Sequence, residues 1–294
     1  MTFRIVEGAP DPAEARDLLA AVESADGVEP FGEAFVRGLS DPAAGHRHLR
    51  VLDDDALVGL AGVAEDSAEL AIAAGSRRRG AGKALLEGVD GLVGKQLPVW
   101  AHGDVPGARE LATATGRRVV RELLQMTAPA DVVAGLGDED ALEGIRLEDL
   151  AAARERMGED AVDEAWLAVN NEAFDWHPEQ GGWDLAQLRR GRGVEWFDPA
   201  GVLFAVDEEA GAIVGFHWTK WHGGGVGEVY VIGLAGAARG RGVGGWLTRA
   251  GMRHLRERGA DRVILYVEGD NEPAVRTYER TGFDVTRRDV MYGV

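Results

Sequence analysis

The stretch RGRGVGGWLTRAGMRHLRERGADRVILYVEGDNEPAVRTYERTGF (239–283) decides how the chain is read. Glycines at 240, 242, 244 and 245 alternate with Arg239, Arg241 and Val243, then lead into a helical pattern over Trp246–Arg258. That pattern stops at Gly259, a residue that takes the left-handed conformation at a helix C-terminus without penalty. Ahead of a helix, close glycines let successive backbone N–H groups converge without side-chain obstruction, and such a concavity holds phosphate. The segment Arg239, Gly240, Arg241, Gly242, Val243, Gly244, Gly245 therefore reads as a pyrophosphate cradle; a flexible turn is the bland alternative. DRVILYVE (261–268) follows as a strand.

Two kinds of pyrophosphate site fit such a loop. Gly240-x-Gly242-x-x-Gly245 with Glu268 matches the dinucleotide fingerprint. In that fold the first strand runs almost directly into the first glycine, whereas LAGAA (234–238) intervenes here. Too little chain follows Glu268 to complete a dinucleotide-binding sheet.

Working outward, GEVYVIGL (227–234) is a strand before the loop, and VLFAVDEEAGAIVGFHWTKWH (202–222) is a hairpin turning at Glu208–Gly211. TAPADVVAGLGDEDALEG (127–144) clusters Pro, Gly and acids and reads as a linker. The first half repeats the order of the second. FRIV (3–6) is a strand, and a helix starts near Asp11-Pro12, where Asp caps and Pro fits the first turn. Strand-like runs fill 46–73, a basic glycine loop covers 76–82, a helix follows it, and LPVWAHG (97–103) is strand-like. Arg77–Gly82 aligns with Arg239–Gly244, and WAHGDVPGARELATATG (100–116) with YVEGDNEPAVRTYERTG (266–282). Two similar α/β domains, 1–130 and 141–294, are the economical reading of 294 residues.

The longer pattern is Arg239-x-x-Gly242-x-Gly244 followed by Asn271-x-x-Ala274-x-x-x-Tyr278-x-x-x-Gly282-Phe283. It resembles the acetyl-CoA signature of the GCN5-related N-acetyltransferases (GNAT family), well over 200–294 and more weakly over 46–130. The resemblance implies two tandem GNAT domains, each a mixed, mostly antiparallel sheet flanked by helices. It implies acetyl-CoA as co-substrate, with pantetheine in a wedge beside Val231, Ile232 and Gly233 and the pyrophosphate on the loop amides. Asn271, Pro273, Ala274 and Arg276 would contact the coenzyme, and Tyr278 would lie near its sulfur.

Moving an acyl group from a thioester to an amine requires the amine to lose a proton, so a carboxylate base is useful. The oxygen that gains charge needs an N–H donor, and the leaving thiolate benefits from an acid. Glu228, at the start of the strand before the loop, is the candidate base, and Tyr278 the candidate acid. A solvated strand-end carboxylate and a packing aromatic are the respective alternatives. Where Asn271 and Tyr278 stand, the first half has Val105 and Ala112. That half is expected to be a non-catalytic copy. It keeps a possible coenzyme site at Leu70, Ala71, Ile72, Arg78, Arg79, Gly80, Ala81, Gly82 and Lys83.

NEAF (171–174) with HPEQG (177–181), GFHWTK (215–220) and LYVE (265–268) resemble the actinobacterial branch of the family. That branch acetylates the cysteinyl amine of cysteinyl-glucosaminyl-inositol to give mycothiol. The resemblance implies substrate contacts from Glu33, Glu179, Lys220, Glu228 and Tyr266. A hydroxyl-rich pseudo-disaccharide with one ammonium suits carboxylates, a Lys donor and an aromatic wall. A surface helix residue at Glu33, a turn-capping carboxylate at Glu179 and a snorkelling Lys220 are the plain alternatives. Another acceptor amine (a protein N-terminus, an antibiotic or a polyamine) and a non-catalytic acyl-CoA sensor also remain open.

Composition excludes other classes. There is no Cys, so disulfides, zinc thiolates and cysteine nucleophiles are ruled out. His217 and His222 lack further ligands nearby, and no metal is expected. A net charge of −18 is the wrong sign for a nucleic-acid partner. No apolar run is long enough for a membrane span, and the acidic start MTFRIVEGAPDPAEARDLL lacks a signal-peptide layout. A cytoplasmic monomer acting on a small molecule is the expectation.

Overall fold

The computed structural model describes residues 3–138, 141–176 and 180–294. In chain order the strands and helices begin with β1 (Arg4–Glu7), α1 (Pro12–Asp26), α2 (Glu33–Gly38), β2 (Arg47–Asp53), β3 (Ala56–Val63) and β4 (Ala68–Ile72). Next come α3 (Ala81–Val93), β5 (Val99–Ala101), α4 (Pro106–Ala114), β6 (Arg118–Ala128), α5 (Ala130–Ala134) and β7 (Ile145–Asp149). Then follow α6 (Leu150–Met157), α7 (Glu159–Ala173), α8 (Leu185–Gly191), β8 (Val202–Asp207), β9 (Ile213–Gly223) and β10 (Val226–Leu234). The chain closes with α9 (Val243–Glu257), β11 (Arg262–Glu268), α10 (Glu272–Arg280) and β12 (Asp284–Gly293).

Two compact units emerge: Met1–Leu124 with Glu268–Asp270 and Arg287–Val294, and Gln125–Val267 with Asn271–Thr286. Chain order and spatial grouping thus differ. Most of β12 belongs with the first unit, where Val290, Met291 and Tyr292 pair antiparallel with Ala101, Trp100 and Val99. Long-range strand pairing of this kind leaves no local sequence signal, so contiguous blocks are all that a linear reading yields.

The first unit orders its strands β1-β2-β3-β4-β5 before that C-terminal strand, and the second runs β11-β10-β9-β8-β7. Both sheets are mixed. The β4–β5 and β10–β11 pairs are parallel, and the other neighbours within these two runs are antiparallel. Period-2 alternation explains how β8 buries both faces. Val202, Phe204 and Val206 pack with Trp166 and Val169 of α7, while Leu203 and Ala205 pack with Trp246, Leu247 and Ala250 of α9. The first unit does likewise: Leu49, Val51, Ala61 and Val63 meet Leu85 and Val89 of α3, and Leu60 and Ala71 meet Leu18 and Val22 of α1.

Some local expectations shift. α9 starts at Val243 rather than Trp246, so Gly244 and Gly245 form its first turn. β5 is shorter than 97–103, because a tight turn over His102–Asp104 follows it directly. The 127–144 stretch is not all linker: β6 reaches Ala128, and α5 follows with Val133 buried. Arg256 of α9 holds that stretch by donating from Nη1 to Leu136 O at 2.5 Å.

Candidate active site

The second unit presents its glycine loop as the sequence suggests, but the arginines behave differently. Gly240 (φ 74°) and Gly242 (φ 80°) are left-handed, a conformation that costs other residues energy. Gly242 is the N-cap of α9, and no side chain caps the helix. The first amide of α9 to bond its loop carbonyl is that of Trp246, to Gly242 O at 3.2 Å. The Val243, Gly244 and Gly245 amides therefore stand at the positive end of a 15-residue helix, suited to an anion. Arg241 is drawn aside by Asp207 (Nη1–Oδ2 3.0 Å), and Arg239 Nη2 lies 3.5 Å from Glu172 O. The bond from Arg241, after the amide of Ala210, holds the Asp207 carboxyl below its ordinary range. The uncapped main-chain amides are the donors that fit a pyrophosphate here, while the Arg241 guanidinium is engaged by Asp207.

Beside the loop the sheet opens. β10 and β11 pair from Val226↔Arg262 to Val229↔Leu265, and their ladder ends there. On its other edge β10 continues along β9, with Val231, Ile232 and Gly233 opposite Trp218, His217 and Phe216. The register steps from Val229↔Thr219 to Val231↔Trp218, so Tyr230 is an extra residue in a β-bulge. Val231, Ile232 and Gly233 thus line a wedge with no β11 rung opposite them. α10 packs on the loop side: a Cβ at Gly245 would lie 3.8 Å from Thr277 Cγ2. Asn271 is the N-cap of α10, accepting from the Ala274 amide at 3.3 Å, and Pro273 follows in the first turn. Arg276 pairs with Glu272 at 2.9 Å on the same helix.

Cross-strand pairing sets Lys220, Glu228 and Ile264 on one face, with Tyr266 two residues further along β11. Glu228 is 7% exposed, and its Oε2 lies 2.5 Å from His222 Nε2. The Lys220 ammonium sits 4.9 Å from the Trp196 ring centre and 5.7 Å from that of Tyr230, an aromatic cage for a cation. Tyr266 is 40% exposed, and its hydroxyl accepts from Gln125 Nε2 at 2.9 Å. Tyr278, on α10, is 8% exposed and packs edge-on against Phe283; burial pushes its phenol well above the usual tyrosine range. It therefore stays protonated, the state an acid needs.

Of the sequence-derived set, Lys220, Glu228 and Tyr266 share this face. Glu33 is exposed in the first turn of α2, in the other unit, and Glu179 lies outside the described residues. His222, Trp196 and Tyr230 are additions. Tyr230 belongs to the same strand as Glu228, but its cage role needs the bulge to be known. His217 differs from His222: it is fully buried, its Nδ1–H donates to Leu247 O at 2.8 Å, and burial lowers its pKa to about 4. Among the described residues no group of three potential ligands could hold a metal.

The first unit repeats the backbone of this site. Arg78 (φ 61°) and Gly80 (φ 93°) take the left-handed places of Gly240 and Gly242, and α3 begins at Ala81 with no side-chain cap. β4 and β5 pair only at Ala68↔Val99 and Glu69↔Trp100, leaving Leu70, Ala71 and Ile72 beyond the last rung. A cavity of about 870 Å³ lies there, lined by Leu70–Ile72, Gly80, Gly82 and Lys83 among others. The basic side chains on and beside its glycine loop each pair with a carboxylate. Arg78 pairs with Glu110, Arg79 with Asp53 at 3.1 Å, and Lys83 with Glu87 at 3.8 Å. Val105 gives α4 no side-chain cap, and Ala112 packs against Tyr292 of the C-terminal strand.

The Acetyltransferase (GNAT) family model matches residues 163–283. Among solved structures, a GCN5-related N-acetyltransferase from Sphaerobacter thermophilus superposes with a TM-score of 0.76 at 24% identity, covering 99% of this chain and 95% of that one. A tandem GNAT protein from the clavulanic acid biosynthesis pathway gives 0.70 at 19% identity, over 100% and 98%. Among sequences, the mycothiol acetyltransferase of Corynebacterium aurimucosum is 45% identical over 94% of this chain and 92% of its own length. That of Mycolicibacterium vanbaalenii is 43% identical over 95% and 92%. Identity at this level along almost the whole of both partners goes well beyond a shared fold, and the chain belongs to the mycothiol acetyltransferase family of tandem GNAT proteins.

Proposed function

We propose that this acetyltransferase moves the acetyl group of acetyl-CoA to the cysteinyl amine of cysteinyl-glucosaminyl-inositol, working in its second unit. The observation that carries this reading is the end of the β10–β11 ladder at Val229↔Leu265, one residue past Glu228. An acyl carbon held in that wedge meets an amine deprotonated by Glu228. A main-chain amide past the rung, in the Val231–Gly233 stretch, serves the oxygen that gains charge. Tyr278 returns a proton to the departing thiolate. Lys220 and Tyr266 orient the hydroxyl-rich acceptor; Glu33 and Glu179 are assigned substrate contacts by family resemblance alone.

The first unit, in this reading, holds acetyl-CoA without turning it over. The domains are 1–130 and 141–294 along the sequence, with the segment from Arg287 grouping with the first, and the protein works as a cytoplasmic monomer without nucleic acid. No described helix is long and apolar enough to cross a membrane. The deciding experiment incubates purified protein with acetyl-CoA and a panel of amines and reads the N-acetyl product by mass spectrometry. Turnover of the cysteinyl pseudo-disaccharide above all others is expected. Turnover of peptides or polyamines instead overturns the acceptor, and coenzyme binding with no turnover makes the chain a sensor.

A further inference from the structure

His222 and Glu228 form a contact that strand geometry alone does not supply. β9 and β10 pair as Val226↔Gly223 and then Gly227↔Trp221, so His222 is the extra residue of a second bulge. A bulge re-aims the side chain it carries. Here it sends the imidazole to Glu228, Nε2 to Oε2 at 2.5 Å. The carboxylate side chain is 10% exposed and the imidazole 33%, so the contact runs from the buried base toward solvent. One carboxylate oxygen is thereby occupied, and Oε1 is left for the amine.

We propose that His222 is the positioning residue of the base. Its Nε2–H donates to Glu228 Oε2 and fixes the carboxylate rotamer, so that Oε1 faces the amine. This rests on the reading of Glu228 as base. When the ammonium N–H bond breaks, its proton goes to Glu228 Oε1 and later to water, while His222 keeps its own proton on Nε2. The other ionisable groups around the pair are Lys220 opposite Glu228, Tyr230 on the same strand, Arg262 and Tyr266 on β11, and Asp261 against the Gly225 turn.

The test compares His222→Ala and His222→Gln with Glu228→Gln, measuring kcat and KM across pH together with thermal unfolding. His222→Ala is expected to lower kcat about 10-fold to 100-fold, the range of a charge-assisted hydrogen bond. It should leave KM for acetyl-CoA unchanged. His222→Gln, which keeps an N–H donor, should recover most of the rate. A His222→Ala enzyme at wild-type kcat overturns the assignment, even while Glu228→Gln is inactive. A Glu228→Gln enzyme at wild-type rate instead removes the base itself. A fall in rate with a lowered unfolding temperature that His222→Gln does not rescue makes His222 a packing residue and also overturns it.

Discussion

The two glycine loops differ in sequence and agree in backbone, whereas the chemistry beside them agrees in neither. Arg78 and Gly80 repeat the left-handed turns of Gly240 and Gly242, and both following helices begin without a side-chain cap. Both sheets also part beside the loop, after Glu69↔Trp100 in one and Val229↔Leu265 in the other. Only β10 adds a bulge there, only α10 carries a tyrosine at the equivalent of Ala112, and only Asn271 caps its helix where Val105 does not. What the units share is made by main chain and tolerates varied side chains. What separates them needs particular side-chain atoms.

The comparison can be broken most directly at Glu228. Glu228→Gln is expected to slow turnover at neutral pH by about 10³-fold while acetyl-CoA affinity stays near wild type, read by steady-state kinetics and calorimetry. An unaffected rate would leave the second unit no more catalytic than the first. Tyr278→Phe removes the other distinguishing atom and should cost about 10²-fold. A rate within twofold of wild type would make Tyr278 a packing residue like its neighbour Phe283.

Electrostatics sharpens the contrast from the other side. His102 of the first unit sits between Glu69 (2.9 Å) and Asp289 (3.3 Å). Burial disfavours its charge, but hydrogen bonds to Asp289 and Glu69 outweigh that and raise its pKa to about 9. A folded pKa above the unfolded 6.5 gives stability fully present below pH 6.5 and lost as pH rises through about 9. Asp289 is shifted the opposite way: burial opposes ionisation, yet His102 and the Gly103 amide lower its pKa. Its share appears above the unfolded value of 3.8 and fades as pH falls through the lower folded one. The first unit should therefore lose on the order of 3 kcal/mol between pH 6.5 and 10, followed by thermal unfolding, and His102→Gln should flatten that slope. Equal slopes in wild type and variant would sink the charged-cluster reading.

The smallest effect concerns the loops themselves. Arg78→Gly relieves a left-handed arginine but loses an exposed pair with Glu110, so its unfolding midpoint should move by only a few degrees. The reciprocal Gly240→Arg should cost about 1 kcal/mol. A large loss from both would mean that loop side chains, not amides, shape the cradle.

Much of this was legible beforehand. The glycine spacing announced both loops, and the Asn271–Tyr278 run announced the helix that Asn271 caps and that carries Tyr278. The parted sheet came only through family resemblance, since no residue type marks where a ladder stops. His222 looked unremarkable because strict period-2 alternation hides a bulge, and the bulge is what delivers it to Glu228. Arg241 lies in the stretch read as a cradle, yet its guanidinium pairs with the carboxylate of Asp207, more than thirty residues earlier in the chain. The swap of the last strand was invisible for a different reason: Tyr292 fills in beside Ala112 from the far end of the chain, and its hydroxyl bonds Asp104 at 2.6 Å.

That last strand bears on how the polypeptide is made. Val290, Met291 and Tyr292 pair with the free edge of β5, and Asp289 supplies a carboxylate to His102 and the Gly103 amide. During synthesis, β1 to β5 emerge well before Asp289–Tyr292 and must wait for them with one sheet edge and one imidazole unsatisfied. A nascent chain stalled shortly before Arg287 would hold its first half in an aggregation-prone, edge-exposed form.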